Sequence, residues 1–234
     1  MANTTLPFIS DEKLIHHVQT LVDAAQNSAT AVESNPYRNV IDPFSALVDA
    51  ARQKINLDAW MKQEKVRQTQ KGFQNALGEF HQNVIGDISG WKNEGVGGSI
   101  DVRNDEMKII AEIKNKYNTV NSNSAKAIYD NLANHLQYAE KGYTAYLVSI
   151  LPGNKKPFNA QWSPNQKTLA MRDDIRKVDG RTFYTLATGN ADALQMLYGA
   201  LPGILKNILN LDPQLLKGTE EFKVLFEKAY GIQK

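Results

Sequence analysis

The 234-residue sequence contains no cysteine. That excludes disulfides, thiolate metal sites and cysteine nucleophiles. Histidine is almost as scarce: His16, His17, His81 and His135 are the full set, and none of them forms the H-E-x-x-H spacing of a helical zinc site. Any metal is therefore expected to be bound by oxygen. No stretch approaches the roughly 18 consecutive apolar residues of a membrane span. The opening MANTTLPFISDEK also lacks the basic and apolar regions of a signal peptide, so the expected location is the cytoplasm. Internal repeats, low-complexity tracts and flexible linkers are missing too, which leaves one domain over residues 1–234 as the expectation.

What is present is ordinary in amount, with 42% apolar and 22% charged residues, enough for one sizeable core. The charge is uneven. Residues 113–172 hold eight cations (Lys114, Lys116, Lys126, Lys141, Lys155, Lys156, Lys167 and Arg172) against Asp130 and Glu140. This stretch therefore carries +6 and the rest of the chain −4, within a total of +2. Such segregation suits a polyanionic partner; the alternative is a solvated basic face.

Hydrophobic spacing divides the chain into a helical first third and a mixed remainder. Leu14, Ile15, Val18, Leu21 and Val22 predict a helix over about residues 10–25 with Ser10 as its cap. Pro36 and Pro43 interrupt it, and residues 44–55 and 57–88 read as two more helices. Gly95-Val-Gly-Gly98 then punctuates a change of period. Residues 99–103 and 108–116 predict a β-hairpin turning on Asp105 and Glu106. Ser122 or Ser124 caps a helix ending near Gly142, followed by a strand over 143–151, a polar loop to about Thr168, and a strand over 182–187. Helices over 191–201 and 213–230 close the chain. The helical part thus spans about 1–90 and the α/β core about 77–204.

The hairpin carries the chemistry. Side chains alternate along a strand, so Ile110, Glu112 and Lys114 share one face of a strand that is otherwise apolar. With the turn at Asp105 and Glu106, Arg103 faces Lys108 and Asp101 lies diagonal to Glu112, roughly 7 to 8 Å away. Two carboxylates so placed can share a hard cation. Phosphodiester hydrolysis needs a metal to neutralise phosphate charge and acidify a water; Asp101, Glu112 and the Ile113 carbonyl offer oxygen ligands that suit Mg²⁺. Lys114 can hold the attacking water and a phosphate oxygen. Acid-x-Lys triplets also occur at Asp11-Glu-Lys13, Glu106-Met-Lys108 and Glu221-Phe-Lys223. Those lie among other charges on helices or in a turn, where a solvated face explains them.

The segment resembles the core of the PD-(D/E)xK nuclease superfamily, which implies a mixed sheet flanked by helices in the order α-β-β-β-α-β, with residues 143–151 as third strand. Within it, Glu112-Ile-Lys-Asn-Lys-Tyr-Asn-Thr119, Leu77-Gly-Glu-Phe-His-Gln82 and Tyr184-Thr-Leu-Ala-Thr-Gly189 are similar to type II restriction endonucleases that recognise GGNCC or GGWCC. The likeness covers about 77–204. It departs at Ile100, where the superfamily has proline before the first acid. The resemblance implies Mg²⁺-dependent cleavage of double-stranded DNA at a short palindrome, a homodimer, and a cognate DNA methyltransferase as partner. The weighed alternatives are a repair or junction nuclease of the same fold and a noncatalytic DNA-binding protein.

The resemblance also points to Glu79 on the preceding helix as a further acid at the metal, against an ordinary surface glutamate. His81 and Gln82 follow it, near the phosphate or packed in the helix. Asn115, Lys116, Asn118, Thr119, Asn121 and Asn123 form an amide-rich stretch after the catalytic strand, suited to base edges and phosphates. The loop 154–167, with Lys155, Lys156, Asn159, Trp162 and Lys167 and no acid, is expected to be a DNA-recognition element. Its alternative is a surface loop pinned by Trp162.

Overall fold

The computed structural model describes residues 5–95, 100–164, 171–212 and 219–232. Lys167, Gly97, Gly98, Ser99 and the expected helical start at 213–218 lie outside the described residues. By internal contacts the chain divides into two units, Gln19–Glu79 and Met1–Val18 with Phe80–Lys234. No helix among the described residues is long and apolar enough to cross a membrane.

The smaller unit is helical. It holds most of α1 (Asp11–Ser34), α2 (Pro43–Gln53) and most of α3 (Leu57–Gly86). Asp42 caps α2 by accepting the Phe44 N–H, and Pro43 starts the helix where its missing N–H costs nothing. Ala46, Ala50 and Trp60 form the local core. Ser10 caps α1 as expected, accepting Lys13 N–H at 3.3 Å, but the helix runs nine residues beyond the expected end at 25.

The larger unit contains a mixed sheet of β1 (Trp91–Asn93), β2 (Val102–Asn104), β3 (Ile109–Lys116), β4 (Thr144–Leu151), β5 (Asn159–Gln161) and β6 (Ile175–Asp179) in the order β1-β2-β3-β4-β6-β5. Strands β1 to β3 are antiparallel, whereas β3, β4 and β6 are parallel. Helix α4 (Ser122–Tyr138) makes the crossover from β3 to β4 and packs Tyr129, Leu132 and Leu136 on Ile110, Ala145 and Ile175. Each fully buried leucine or isoleucine there contributes about 1.5–3 kcal/mol relative to exposure. On the opposite face, Phe183 of α5 (Gly180–Thr188) meets Tyr146 and Trp91 at ring distances of 5.9 and 5.3 Å. Helices α6 (Ala193–Leu209) and α7 (Thr219–Tyr230) complete the unit.

The α-β-β-β-α-β order is realised by α3, β1, β2, β3, α4 and β4. The strand expected over 143–151 is therefore fourth, because Trp91–Asn93 forms an additional short strand before the hairpin. The expected strand over 182–187 is instead helix α5. Asp179 accepts the Thr182 N–H and starts a turn in which Phe183, Tyr184 and Ala187 fall on one buried face. Its aromatic and β-branched residues are kept for packing, not for a ladder. The strand of this region is Ile175–Asp179, and the expected polar loop before it contains β5. The cap of α4 is Asn121, which accepts Ser124 N–H at 2.9 Å, in place of Ser122 or Ser124.

Candidate active site

The β2–β3 hairpin brings the two acids closer in register than expected. Val102 pairs with Ala111, Arg103 with Ile110 and Asn104 with Ile109, so Asp101, just before β2, stands across from Glu112 and not diagonal to it. The cause is the turn. It closes over four residues, with Asn104 Oδ1 accepting the Met107 N–H at 2.9 Å and Lys108 at φ 55°, a left-handed conformation. Arg103, expected to face Lys108, instead bonds Asp105 at 2.8 Å and Glu140 at 3.3 Å, bracing the far end of the hairpin.

Asp101 Oδ2 accepts the Ile113 N–H at 2.6 Å, which ties the first acid directly to the strand carrying the second. Burial, together with the charge of Glu112, pushes the Asp101 carboxyl up to about 6, against the Ile113 N–H, the charge of Lys114 and a hydrogen bond from Gln82. Two carboxylates are thus held where one cation would relieve their repulsion. Lys114 Nζ lies 2.6 Å from Glu112 Oε1, both residues half-buried on the same face of β3. Among the described residues no group of three or more histidines or acids is placed so that it could hold a metal ion by itself. A metal here would complete its shell with a backbone carbonyl such as that of Ile113 and with water, the habit of Mg²⁺.

Gln82, on the last turns of α3, is the helix residue that hydrogen-bonds Asp101. Glu79 sits one turn earlier on α3 with its side chain exposed. His81 turns to the core: its Nδ1 and Tyr184 Oη share a hydrogen bond at 2.9 Å, and burial lowers its pKa to about 4. Packing was the weighed alternative for this histidine, and the geometry fits it. Because the folded protein holds His81 neutral below the 6.5 of the unfolded chain, the unfolded state takes up the proton first as pH falls. Stability is whole above pH 6.5 and declines toward 4. The loss attributable to His81 is expected to be about 2 kcal/mol by pH 5. Urea midpoints at pH 7 and 5 for the native protein and His81→Gln check this; equal pH dependence in both would discount the histidine.

The two segments expected to face DNA lie side by side at the carboxyl end of the parallel strands, beyond Lys114. Lys116 pairs with Leu151, and Tyr117 to Thr119 form a short 3₁₀ turn. A β-carbon on Gly153 would stand 2.8 Å from the Tyr117 ring, so only glycine lets the two chains approach. Asn118 and Asn121 are exposed, Asn115 and Lys116 half-buried. Thr119 Oγ1 donates to Lys116 O at 2.7 Å. Lys155 and Lys156 are exposed at the start of the second segment, where Asn154 Oδ1 accepts the Lys156 N–H at 3.1 Å. The rest of that segment is anchored. Arg176 Nε donates to Asn159 Oδ1 at 2.6 Å, and the Phe158 N–H donates to Asp179 Oδ2 at 2.7 Å. Trp162 packs edge-on against Tyr129, ring centroids 5.9 Å apart. Its ring pins the segment to the core. Asp179 was missed in the sequence, although Asp is among the residues favoured at a helix N-cap.

Residues 6–210 match the Eco47II restriction endonuclease family. The chain is 41% identical over 237 residues to the type II restriction enzyme Eco47II of Escherichia coli, spanning 97% of this chain and 99% of that protein. It is 30% identical over 214 residues to the type II restriction enzyme Sau96I of Staphylococcus aureus, spanning 86% and 80%.

Proposed function

Because the chain belongs to the Eco47II restriction endonuclease family and is thereby a type II restriction endonuclease, we propose that Asp101, Glu112 and Lys114 are its catalytic residues. The carrying observation is that one hairpin places two carboxylates and an ammonium together, with Asp101 bonded to the backbone of Ile113 and Lys114 to Glu112. The reading takes residues 1–234 as one endonuclease domain.

The donors are two carboxylates and a peptide carbonyl, so the fitting cofactor is Mg²⁺, held by Asp101, Glu112 and the Ile113 carbonyl. When bound it would neutralise charge on the phosphate and lower the pKa of a water. The protein's own contribution is positional. The Ile113 N–H fixes the rotamer of Asp101, and Gln82 steadies the same carboxylate from α3. Lys114, held against Glu112, presents its ammonium where a water and a phosphate oxygen can be held in line.

The substrate is duplex DNA at a short palindrome of the GGNCC type. Asn115, Lys116, Asn118, Thr119 and Asn121 together with Lys155, Lys156, Asn159 and Lys167 grip the DNA, and Trp162 anchors their loop. A palindrome read by one kind of subunit implies a twofold dimer with one active site in each. A cell making such an enzyme must modify its own sites, which makes a DNA methyltransferase of the same specificity the functional partner. Digestion of a DNA of known sequence with Mg²⁺, followed by sequencing of the fragment ends, tests the reading. All ends should fall at GGNCC palindromes and none should form in a chelator. Ends scattered through the duplex, or confined to branched DNA, would overturn it.

A further inference from the structure

The sheet carries one more cation on the catalytic face. Strand pairing aligns Glu112 with Leu147 and Leu147 with Lys177, so Glu112 and Lys177 stand in one cross-sheet row with a single strand between them. Neighbouring strands are about 4.8 Å apart, which puts the two backbones about 10 Å from each other. In a row of paired residues side chains project to the same face, and here it is the face of Glu112 and Lys114. The next row runs from Lys114 through Ser149 to Asp179, toward the carboxyl ends of the parallel strands. Ligands of such sheets bind at that end.

Lys177 is half-buried, and among the described residues its side-chain ammonium has no ion-pair or hydrogen-bond partner. The acid closest in sequence on its face, Asp179, is committed elsewhere: its oxygens accept from Phe158 N, Thr182 N and Thr182 Oγ1. Desolvation alone lowers the Lys177 pKa, the signature of a cation kept from water without compensation. A purely structural lysine would extend to solvent or find an acid. An anion arriving at the catalytic face would satisfy it.

Resting on the active site proposed above, we infer that Lys177 binds a backbone phosphate of the DNA strand being cut, beside the scissile phosphate. A lysine acts there as a point charge, so its contribution is to affinity and not to sequence reading. It lies on the third parallel-side strand of the grip, opposite in the sheet to the hairpin. Lys114 and Lys177 would then hold two points of one sugar-phosphate chain across the sheet.

The test compares Lys177→Met, which keeps the aliphatic stem, with Lys177→Arg and Glu112→Ala. Binding is measured in Ca²⁺ across a salt series on a duplex bearing GGACC and on a scrambled duplex. Lys177→Met should weaken both about tenfold and lower the salt slope by about 0.9, one phosphate, while kcat at saturating DNA stays within a few-fold. Lys177→Arg should restore the slope. Unchanged affinity, a loss confined to the GGACC duplex, or a fall in kcat with unchanged affinity would overturn the inference. Acetylation of the native protein gives a reading that needs no variant: Lys177 should be protected by either duplex, and equal labelling with and without DNA would also overturn it. Glu112→Ala separates the two readings. It should lose cutting and keep the slope; if it cuts normally the proposed active site fails, whereas unchanged Lys177→Met with inert Glu112→Ala removes only this inference.

Discussion

Alanine at Asp101, Glu112 or Lys114 is expected to reduce cleavage by about 10³-fold or more each, with specific binding in Ca²⁺ largely kept. The fold should tolerate the first of these. Burial and the neighbouring Glu112 charge raise the Asp101 carboxyl to about 6, so the ionised group is under electrostatic strain that its removal relieves. Glu112 and Lys114 face each other across 2.6 Å, and losing either leaves the other partly exposed, at 31% for Lys114 and 16% for Glu112. Thermal melts should therefore move little while turnover collapses, the pattern of groups that act on the reacting phosphate. Lys108→Ala and Lys223→Ala are the controls and should cut nearly as the native enzyme does. Near-normal cleavage by any one of the three would remove that residue from the site.

The second large effect concerns stability. Asp179 is 1% exposed, and its carboxylate accepts the Phe158 N–H at 2.7 Å, the Thr182 N–H at 3.1 Å and the Thr182 hydroxyl at 2.5 Å. Alanine there strips the cap of α5 and leaves buried donors unsatisfied. A cap is worth about 1 kcal/mol and each orphaned buried donor roughly 1–3, so Asp179→Ala should lose about 3 kcal/mol or more. Urea denaturation reads this as a lower midpoint at unchanged slope. The Phe158 bond also anchors the basic segment that begins at Asn154, so the folded fraction should bind DNA more weakly than native protein. A loss below about 1 kcal/mol would mean that water replaces the carboxylate at little cost.

The hairpin was legible because an acid and a lysine at alternate positions interrupt an apolar strand, and nothing else in the chain repeats that pattern on both sides of a turn. Its register was not. A lysine in the left-handed region and an asparagine bonded three residues on make a four-residue turn, whereas Asp105 and Glu106 suggested a tighter one. Strand β1 offers only Trp-Lys-Asn, too short to show a period. Strand β6 alternates Ile, Arg, Lys, Val and Asp without a clear apolar face, since part of its surface is spent on charge. The aromatic and threonine-rich run after it reads as a strand until Asp179 is seen to cap it. Missing β6 hid Lys177, and no local signal in the sequence places that lysine in line with Glu112.

Asp101 and Glu112 face one another through a single turn, whereas β3 meets β4 only after the whole of α4, and β6 pairs with β4 from farther still. Loop-closure entropy rises with the length of chain enclosed, and hairpins close in microseconds while parallel pairing waits for its crossover. The order of assembly follows. The groups proposed to cut come into register early, as a local event, and the cationic surface proposed to hold DNA against them forms only when distant parts of the chain dock. A partly folded molecule would carry the reactive pair without the means to retain a substrate, so full folding, and not the chemistry itself, is the step that arms the nuclease.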